Sequence, residues 1–449
     1  MSKAQKVLLS SFLGAALAAQ TTQPADPAQQ ARAMLALADE VQKQVEEIRG
    51  WRFAKPVRKD VRTEAQLREY LEQKLFTKEY PPERLAKLEA WLRALALLPP
   101  GAEFRKTLLD VLLNQVGGFY DPDEGAFYMM VEAARYGEFV NRMLIAHELC
   151  HALDDQHVDL RRLIGSEQSI HLSEDQSFAL GGLVEGSATA LMFAWTARHM
   201  ATGKVDAKEM AAMQRSELER MKPFLEAPPY FTLLAANYMV GLHFVTRGKG
   251  ALGVMAPNSG ESGQAIREAV KSPPRSSEQI LHPDKYWNPE ERDEPVLLEA
   301  EDDLARQIEA WSKGRVVHRN TLGELLCALM AGPKQRRLNV VAMNQASYWT
   351  NRHARGWGGD RLFLLADAEG GLAEPAVLWV TAWDRVEDCE EFLEGVRKHR
   401  GEAPGFAAAA EGRVAVLGFG TRARDEALLT RVLAAARFVQ DGKPWAKGP

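Results

Sequence analysis

The stretch AHELCHALDDQ, residues 146–156, constrains this chain more than any other. It lies within NRMLIAHELCHALDDQ, which lacks proline and glycine and carries apolar residues on more than one face, a pattern typical of a buried helix. On such a helix His147 and His151 lie one turn apart on the same side. Two imidazoles in that arrangement can bind one Zn²⁺, and Glu148 lies beside them without having to bind the metal. The alternative is a helix that contains two histidines and no metal.

A catalytic zinc site requires a third protein ligand and keeps its fourth position for water. Glu185, in LVEGSATALM, offers a carboxylate on the next long helix that we expect. Its neighbours Gly186 and Ala188 are small, so they allow the two helices to approach closely around an ion. Asp155, one turn after His151, is expected to accept a hydrogen bond from the ring N–H of a ligand histidine.

Cys150 lies between the two motif histidines. A thiolate there would close the position that water needs, so we expect a buried packing residue rather than a fourth ligand. Cys150, Cys327 and Cys389 are too few and too far apart to form a disulfide framework.

The composition is that of a soluble globular protein, with 46% hydrophobic and 26% charged residues. A chain of 449 residues exceeds one ordinary core, so we expect two or three structural units. The formal net charge of -5 and the lack of a basic cluster with interleaved aromatic residues argue against nucleic acid and anionic membrane surfaces as partners.

The N-terminus has the pattern of an export signal. Lys3 and Lys6 precede VLLSSFLGAALAA, an apolar run that is too short to span a bilayer. The run contains the small-residue pattern ALA near its end, so we predict a secretory signal peptide over residues 1–18 and a periplasmic or extracellular location. The alternative is an apolar N-terminal helix. No apolar stretch beyond residue 20 is expected to span the membrane.

Periodicity and turn residues divide the chain into six regions. They are a signal peptide (1–18), a polar linker (19–30), an N-terminal helical region (31–110), a catalytic core (111–290), a helical connector (291–335) and a C-terminal α+β domain (336–449). The expected fold class is therefore α+β and mainly helical.

The core is expected to begin with a β-hairpin in VGGFYDPDEGAFYMMV, residues 116–131, whose aromatic residues flank a DPDEG turn. The motif helix follows directly. A capping box of Ser173 and Gln176 then opens a long helix that ends near residue 200. Later elements are helices at 206–222, 229–246 and 296–331, the last with a capping box at Thr321 and Glu324, and from about residue 337 the order strand, strand, strand, helix, strand, helix, beginning in LNVVAMNQASYW.

The motif helix and its surroundings resemble the gluzincin group of zinc metallopeptidases, to which thermolysin belongs. They resemble more closely a group of bacterial secreted proteins of the peptidase MA-like type. The matching stretches are GFYDP (118–122), HELCHALDDQ (147–156), EGSA (185–188), SSEQILHPDKY (276–286), GWGGDR (356–361) and TAWD (381–384). The likeness covers most of the chain after residue 110.

The resemblance implies a zincin-like core in which His147, His151 and Glu185 bind Zn²⁺ and Glu148 is the general base. The spacing to the third ligand is longer than in thermolysin. Ser187 stands where the family pattern has an acidic residue, so one contact behind the metal ligands is expected to be missing.

The chemistry of such a site follows from the metal. Zinc lowers the pKa of its water toward neutrality, and Glu148 takes the proton as the water attacks a carbonyl and later delivers it to the leaving amine. The developing oxyanion needs a hydrogen-bond donor beside the metal. The candidates are Tyr286 and His282 in HPDKY, with Tyr230 and His243 behind them. The strand near GFYDP is expected to pair with an extended substrate.

The sequence therefore predicts an exported zinc-dependent hydrolase, most simply a metallo-endopeptidase that acts on a peptide or protein. The alternative is a non-catalytic protein that uses zinc for structure or for binding a polypeptide. An intact Glu148 favours the enzyme, because a structural zinc site usually fills its fourth position and has no use for an unbound base. In the C-terminal domain Trp357, Trp379 and Trp383 are expected in the core, and an inhibitory or recognition role for the domain stays open.

Overall fold

The computed structural model describes residues 27–115, 117–135, 137–164, 171–201, 226–255, 261–333, 339, 342–403 and 405–448. The predicted signal peptide, most of the predicted linker and the helix predicted at 206–222 lie outside these residues. The predicted linker ends earlier than expected, because a helix begins at Pro27.

The described residues form an α+β fold that is mainly helical, as predicted. The helices are α1 (Pro27–Arg49), α2 (Glu64–Gln73), α3 (Pro82–Ala94), α4 (Phe104–Gln115), α5 (Glu138–Val158), α6 (Leu160–Ile164), α7 (Glu174–Ala201), α8 (Pro229–Val245), α9 (Ala251–Met255), α10 (Glu261–Lys271), α11 (Ser277–Leu281), α12 (Asp284–Trp287), α13 (Glu301–Ser312), α14 (Gly323–Ala331), α15 (Val386–Arg400) and α16 (Glu426–Ala435). The strands are β1 (Arg58–Arg62), β2 (Gly118–Asp121), β3 (Ala126–Met130), β4 (Leu297–Leu298), β5 (Arg315–Asn320), β6 (Trp357–Ala366), β7 (Ala376–Trp383), β8 (Ala407–Glu411), β9 (Val414–Phe419), β10 (Phe438–Gln440) and β11 (Lys443–Trp445).

The first sheet has three strands in the order β1-β3-β2. The predicted hairpin is present: β2 and β3 pair antiparallel across the DPDEG turn, with Phe119 opposite Tyr128. β1 comes from the N-terminal region and pairs parallel with β3. The region predicted to be helical thus also contributes a strand, and β2 lies at an edge of the sheet.

The helices α5, α7 and α8 form the part of the core that carries the metal motif. α7 begins with the predicted capping box, in which Ser173 and Gln176 exchange two hydrogen bonds of 3.2 Å. Among the described helices, α7 is long and apolar enough to cross a membrane by length and composition, which corrects the expectation for residues beyond 20. However, 94% of its most apolar window is buried inside the protein, as a core helix requires.

Two glycines allow α7 and α8 to touch backbone to backbone. A Cβ at Gly186 would lie 2.1 Å from the carbonyl carbon of Gly241, and a Cβ at Gly241 would lie 2.0 Å from the carbonyl oxygen of Gly182. No side chain fits at that distance, so this crossing requires glycine on both helices. The close approach expected at Gly186 is therefore present, but its partner is α8 rather than the motif helix.

The C-terminal sheet has the strand order β5-β6-β7-β9-β8, and each neighbouring pair is antiparallel. Alternate residues of a strand face opposite sides of the sheet, and apolar residues pack against both sides. On β6, Phe363 belongs to the apolar cluster that includes α13 and α16, whereas Leu364 belongs to the larger core. The three tryptophans predicted in the core are buried, as expected: Trp357, Trp379 and Trp383.

Two predictions for this region are wrong. The helix predicted over 296–331 is interrupted by β5, which extends the C-terminal sheet across the boundary predicted at 335/336. The strand predicted to begin in LNVVAMNQASYW is replaced, in its described residues, by 3₁₀ turns at Ala342–Asn344 and Ala346–Tyr348. The Trp349 indole donates to the Met343 carbonyl at 2.9 Å and closes this turn, which an extended strand does not allow.

The N-terminus of α14 is capped from another element. The Asp360 carboxylate, on β6, accepts the backbone N–H groups of Leu322 and Gly323 at 2.9 and 2.8 Å. The predicted capping box of Thr321 and Glu324 is not formed, because α14 begins beyond Thr321 and Asp360 binds its first N–H groups.

Candidate metal centre

The two motif histidines and Glu185 converge on one point. His147 and His151 extend from α5 one turn apart, and Glu185 extends from the middle of α7. The Nε2 atom of His147 lies 3.1 Å from the Nε2 atom of His151 and 3.3 Å from the Oε2 atom of Glu185. The Nε2 atom of His151 lies 3.4 Å from the same oxygen. The three predicted ligands are thus brought together in one triangle.

This triangle has the size of one face of a tetrahedral zinc site. Ligand atoms at about 2.0–2.1 Å from Zn²⁺ lie about 3.3 Å apart in a regular tetrahedron. The measured separations of 3.1, 3.3 and 3.4 Å lie on both sides of that value. Two imidazoles and one carboxylate are also a donor set that binds catalytic zinc. The residues present therefore fit Zn²⁺, with the fourth corner left to another ligand.

The charges in the triangle suit a bound cation. Burial lowers the pKa of His147 to about 4, so its ring is neutral at pH 7. Burial alone would raise the pKa of Glu185, but the two histidines lower it below its usual value. Burial would likewise lower the pKa of His151, yet the carboxylates of Glu185 and Glu148 raise it. A bound dication requires the neutral form of both imidazoles.

Glu148 lies beside the triangle without being part of it. Its Oε2 atom accepts the backbone N–H of Tyr120 at 2.8 Å, which fixes the carboxylate against the edge of β2. The three ligands and Glu148 are all buried, with exposed fractions of 0–2%. This arrangement suits a base that acts next to a metal, because the carboxylate is held close and shielded from bulk water.

Tyr238, on α8, is a site residue that the sequence reading missed. Its ring centroid lies 6.0 Å from that of His147. Burial, together with the neighbouring charges of Glu185 and Glu148, raises the pKa of Tyr238 well above its usual value, so the phenol keeps its proton. Gly241, one turn later, brings α8 against Gly182 and Gly186 on α7, the helix that carries Glu185.

The predicted oxyanion donors make their polar contacts elsewhere. The Tyr286 hydroxyl donates to the carbonyl of Ser272 at 2.5 Å, and the His282 ring lies 2.9 Å from the Glu324 carboxylate. Tyr230 donates to Glu174 at 2.8 Å. Burial lowers the pKa of His243; the charge of Asp284 raises it and that of His282 lowers it, so the pKa lies below its usual value. The hydrogen bonds of Tyr286 and His282 thus go to Ser272 and to Glu324 on α14 rather than to the triangle, and the role of these two side chains as oxyanion donors stays a prediction.

Asp155 is tied to the hairpin. Its carboxylate accepts the Tyr120 hydroxyl at 2.7 Å, so the same residue of β2 contacts both Glu148 and Asp155. The hydrogen bond expected from a ligand histidine to Asp155 stays a prediction.

Cys150 and Ser187 contact Asp154 and are not part of the triangle. Burial raises the pKa of the Cys150 thiol well above its usual value, and its sulfur lies 3.7 Å from the Asp154 carboxylate rather than within the triangle. The packing role expected for Cys150 agrees with this position. The loss of a contact expected at Ser187 is wrong, because its hydroxyl donates to Asp154 at 2.8 Å.

A second group of acidic side chains in the described residues surrounds a lysine of the same chain. Glu278, Asp293 and Asp384 are close enough to bind a metal. The Nζ atom of Lys285 lies between them, at 2.5, 2.8 and 3.0 Å respectively. This cluster is therefore an internal ion-pair network that joins the core to the end of β7.

Comparison with protein families finds one match. Residues 311–436 match a family model described as a domain of unknown function, DUF8575. This segment holds the five-stranded C-terminal sheet with α14, α15 and α16, and it includes none of the residues of the triangle. No curated protein and no solved structure matches the chain.

Proposed function

We propose that this protein is a zinc-dependent hydrolase with a zincin-like core, and specifically a metallo-endopeptidase. The observation that supports this best is the triangle of His147, His151 and Glu185 with Glu148 beside it. Its dimensions match zinc ligation. A neighbouring carboxylate that does not bind the metal is the feature that separates a hydrolytic zinc site from a structural one.

His147, His151 and Glu185 would hold the metal, and Glu148 and Tyr238 would act on the substrate. When bound, zinc makes water acidic and polarises a carbonyl group. The Glu148 carboxylate accepts the proton of the attacking water and returns it to the leaving amine. Tyr238 keeps its phenolic proton and donates a hydrogen bond to the oxygen of the reacting carbonyl, where negative charge develops.

An extended polypeptide is the substrate that the neighbouring sheet would accept. β2 lies at the edge of its sheet, and the backbone N–H of Tyr120 on this strand points at Glu148. A peptide that pairs with this edge would gain main-chain hydrogen bonds to groups of β2 other than the Tyr120 N–H, which already donates to Glu148. Such pairing would place a peptide bond near the base. Export to the periplasm or the extracellular space, inferred from residues 1–18, belongs to the same proposal.

The test compares metal content with cleavage in matched variants. The wild-type protein should contain about one zinc ion per chain and cleave unstructured peptides such as casein fragments. Glu148→Gln should keep the zinc and lose cleavage, whereas His147→Ala should lose both. Glu138→Gln, at the start of α5, is the matched control and should leave both unchanged. Full activity of Glu148→Gln would refute the mechanism, and a wild-type protein without affinity for zinc would refute the metal site.

A second candidate function is a zinc site used for structure or polypeptide binding. The burial of all three ligands and of Glu148 favours it, because structural metal sites are closed to solvent. The same measurements separate the two functions. A wild-type protein that holds zinc but cleaves no peptide supports the second candidate.

A further inference from the structure

A buried polar cluster connects the N-terminal helix to both metal-binding helices. Arg49, the last residue of α1, places its guanidinium in the core. One nitrogen of this group, Nη2, lies 2.7 Å from the Asp154 carboxylate and 2.6 Å from the Ser187 hydroxyl. It also lies 2.7 Å from the sulfur of Cys150. Arg49 thus contacts α5 twice and α7 once.

The contacts of Arg49 flank the metal ligands in the sequence. Cys150 immediately precedes the ligand His151, and Asp154 follows it by three positions. Ser187 follows the ligand Glu185 by two positions. Side chains at such spacings on a helix move with the ligands, because the helix backbone between them is rigid. A shift of the Arg49 cluster would therefore change the separation of the ligand atoms.

The positive charge of Arg49 is also balanced by the negative charge of Asp154. The side chains of Arg49 and Asp154 are 0% and 1% exposed, so one charge without the other would be left in a medium of low dielectric constant. Burial would lower the pKa of Arg49, but the charge of Asp154 raises it, so the guanidinium stays charged. The Ser187 hydroxyl donates to the same Asp154 oxygen at 2.8 Å. α5 and α7 are thereby joined through a charged pair that neither helix could satisfy alone.

We propose that Arg49 is a positioning residue of the metal centre. It holds α5 and α7 at the separation that lets His147, His151 and Glu185 bind one ion. This inference rests on the zinc site of the proposed function, although it does not require that the site be catalytic. It also means that α1 is a required part of the metal centre rather than a detachable extension.

The test measures zinc affinity of the full chain by competition with a chromogenic chelator. Arg49→Met leaves Asp154 without its partner, and Arg49→Met with Asp154→Leu removes both charges. Replacing a buried pair by apolar residues often preserves stability. We expect the double variant to melt near the wild-type temperature and yet to bind zinc about 10- to 100-fold more weakly, the effect typical of lost support behind metal ligands. Arg49→Lys keeps the charge and should recover part of the affinity.

The matched control is Arg400→Met. Arg400 is another buried arginine, which donates to the Leu329 and Gly332 carbonyls in the C-terminal part of the chain. This variant should lower the melting temperature and leave zinc affinity unchanged. The inference is overturned if the double variant at Arg49 and Asp154 binds zinc like the wild type, or if Arg400→Met weakens zinc binding equally. A wild-type protein that binds zinc without cleaving peptides would refute the proposed peptidase and leave this inference intact.

Discussion

The contact between α7 and α8 predicts that Gly241→Ala damages stability and the site together. A Cβ at this position would lie 2.0 Å from the carbonyl oxygen of Gly182, so the helices must separate until the distance is at least 3.0 Å. Opening a well-packed core in this way costs about 1–3 kcal/mol or more. Alanine is favoured over glycine within a helix by about 1 kcal/mol, which offsets part of that cost. Because backbone atoms and not a flexible side chain must move, we expect a net loss near the upper end, about 2 kcal/mol.

The matched control for this prediction is Gly182→Ala on α7, the helix against which Gly241 packs. Its Cβ would meet the Ile280 side chain, whose nearest methyl carbon lies at 3.0 Å, and a side chain can yield by a few tenths of an ångström. We expect this variant to be within about 1 kcal/mol of the wild type. The free energy of unfolding is measured by urea titration of the metal-free proteins followed by circular dichroism.

Gly241→Ala and Gly182→Ala also test whether the contact between α7 and α8 positions Tyr238. Tyr238 lies one turn before Gly241, so separating α7 from α8 withdraws its phenol from Glu185. Gly241→Ala should therefore lower kcat for peptide cleavage more than it lowers zinc affinity, whereas Gly182→Ala should change neither. If both variants unfold at the same urea concentration and keep the same kcat, the backbone contact does not position Tyr238 and the reasoning fails.

Three further predictions concern single side chains. Tyr238→Phe should keep zinc and lower kcat by about 100-fold, as loss of one oxyanion donor does, and an unchanged kcat would exclude this role. Burial raises the pKa of Asp175 to about 7, although hydrogen bonds from Ser277 lower it, so the folded protein binds this proton more tightly than the unfolded chain. The contribution of Asp175 to the free energy of unfolding is therefore complete below about pH 4 and declines as the pH rises to 7. Asp175→Asn should flatten that decline when the free energy of unfolding is measured by urea titration at several pH values. Parallel pH profiles of the wild type and the variant would contradict the assignment. Lys285→Met should destabilise the protein by about 2 kcal/mol. This is less than the about 3–5 kcal/mol lost when a fully buried ion pair is broken, because the Lys285 side chain is 25% exposed. Equal stability of variant and wild type would show that the three carboxylates need no cation.

The parts of the site that the sequence predicts depend on local geometry. His147 and His151 are four positions apart on one helix, so their convergence needs only helix formation. Including Glu185 requires in addition that the next long helix folds back on α5, and the triangle agrees with this prediction. The zinc ion itself stays a prediction.

The parts that were missed or misassigned depend on how distant elements pack. Tyr238 approaches Glu185 only because two glycines meet across α7 and α8, a pairing that one sequence does not reveal. The chemistry of HPDKY suggests Tyr286 and His282 as oxyanion donors, and nothing in that stretch indicates that their hydrogen bonds go to Ser272 and Glu324. The predicted helix over 296–331 omits β5, because the pairing of this strand with β6 decides its conformation.

The distance along the chain between Arg49 and its partners bears on the order of folding. Arg49 meets Cys150, Asp154 and Ser187, which follow it by 101, 105 and 138 residues. Contacts of such high sequence separation require long loops to close, and they slow folding. By contrast, the atoms of the triangle belong to residues only 4 to 38 positions apart. Closing the Arg49 cluster therefore requires much longer loops than closing the triangle, so contact order predicts that the triangle forms before the charged pair of Arg49 and Asp154 is buried.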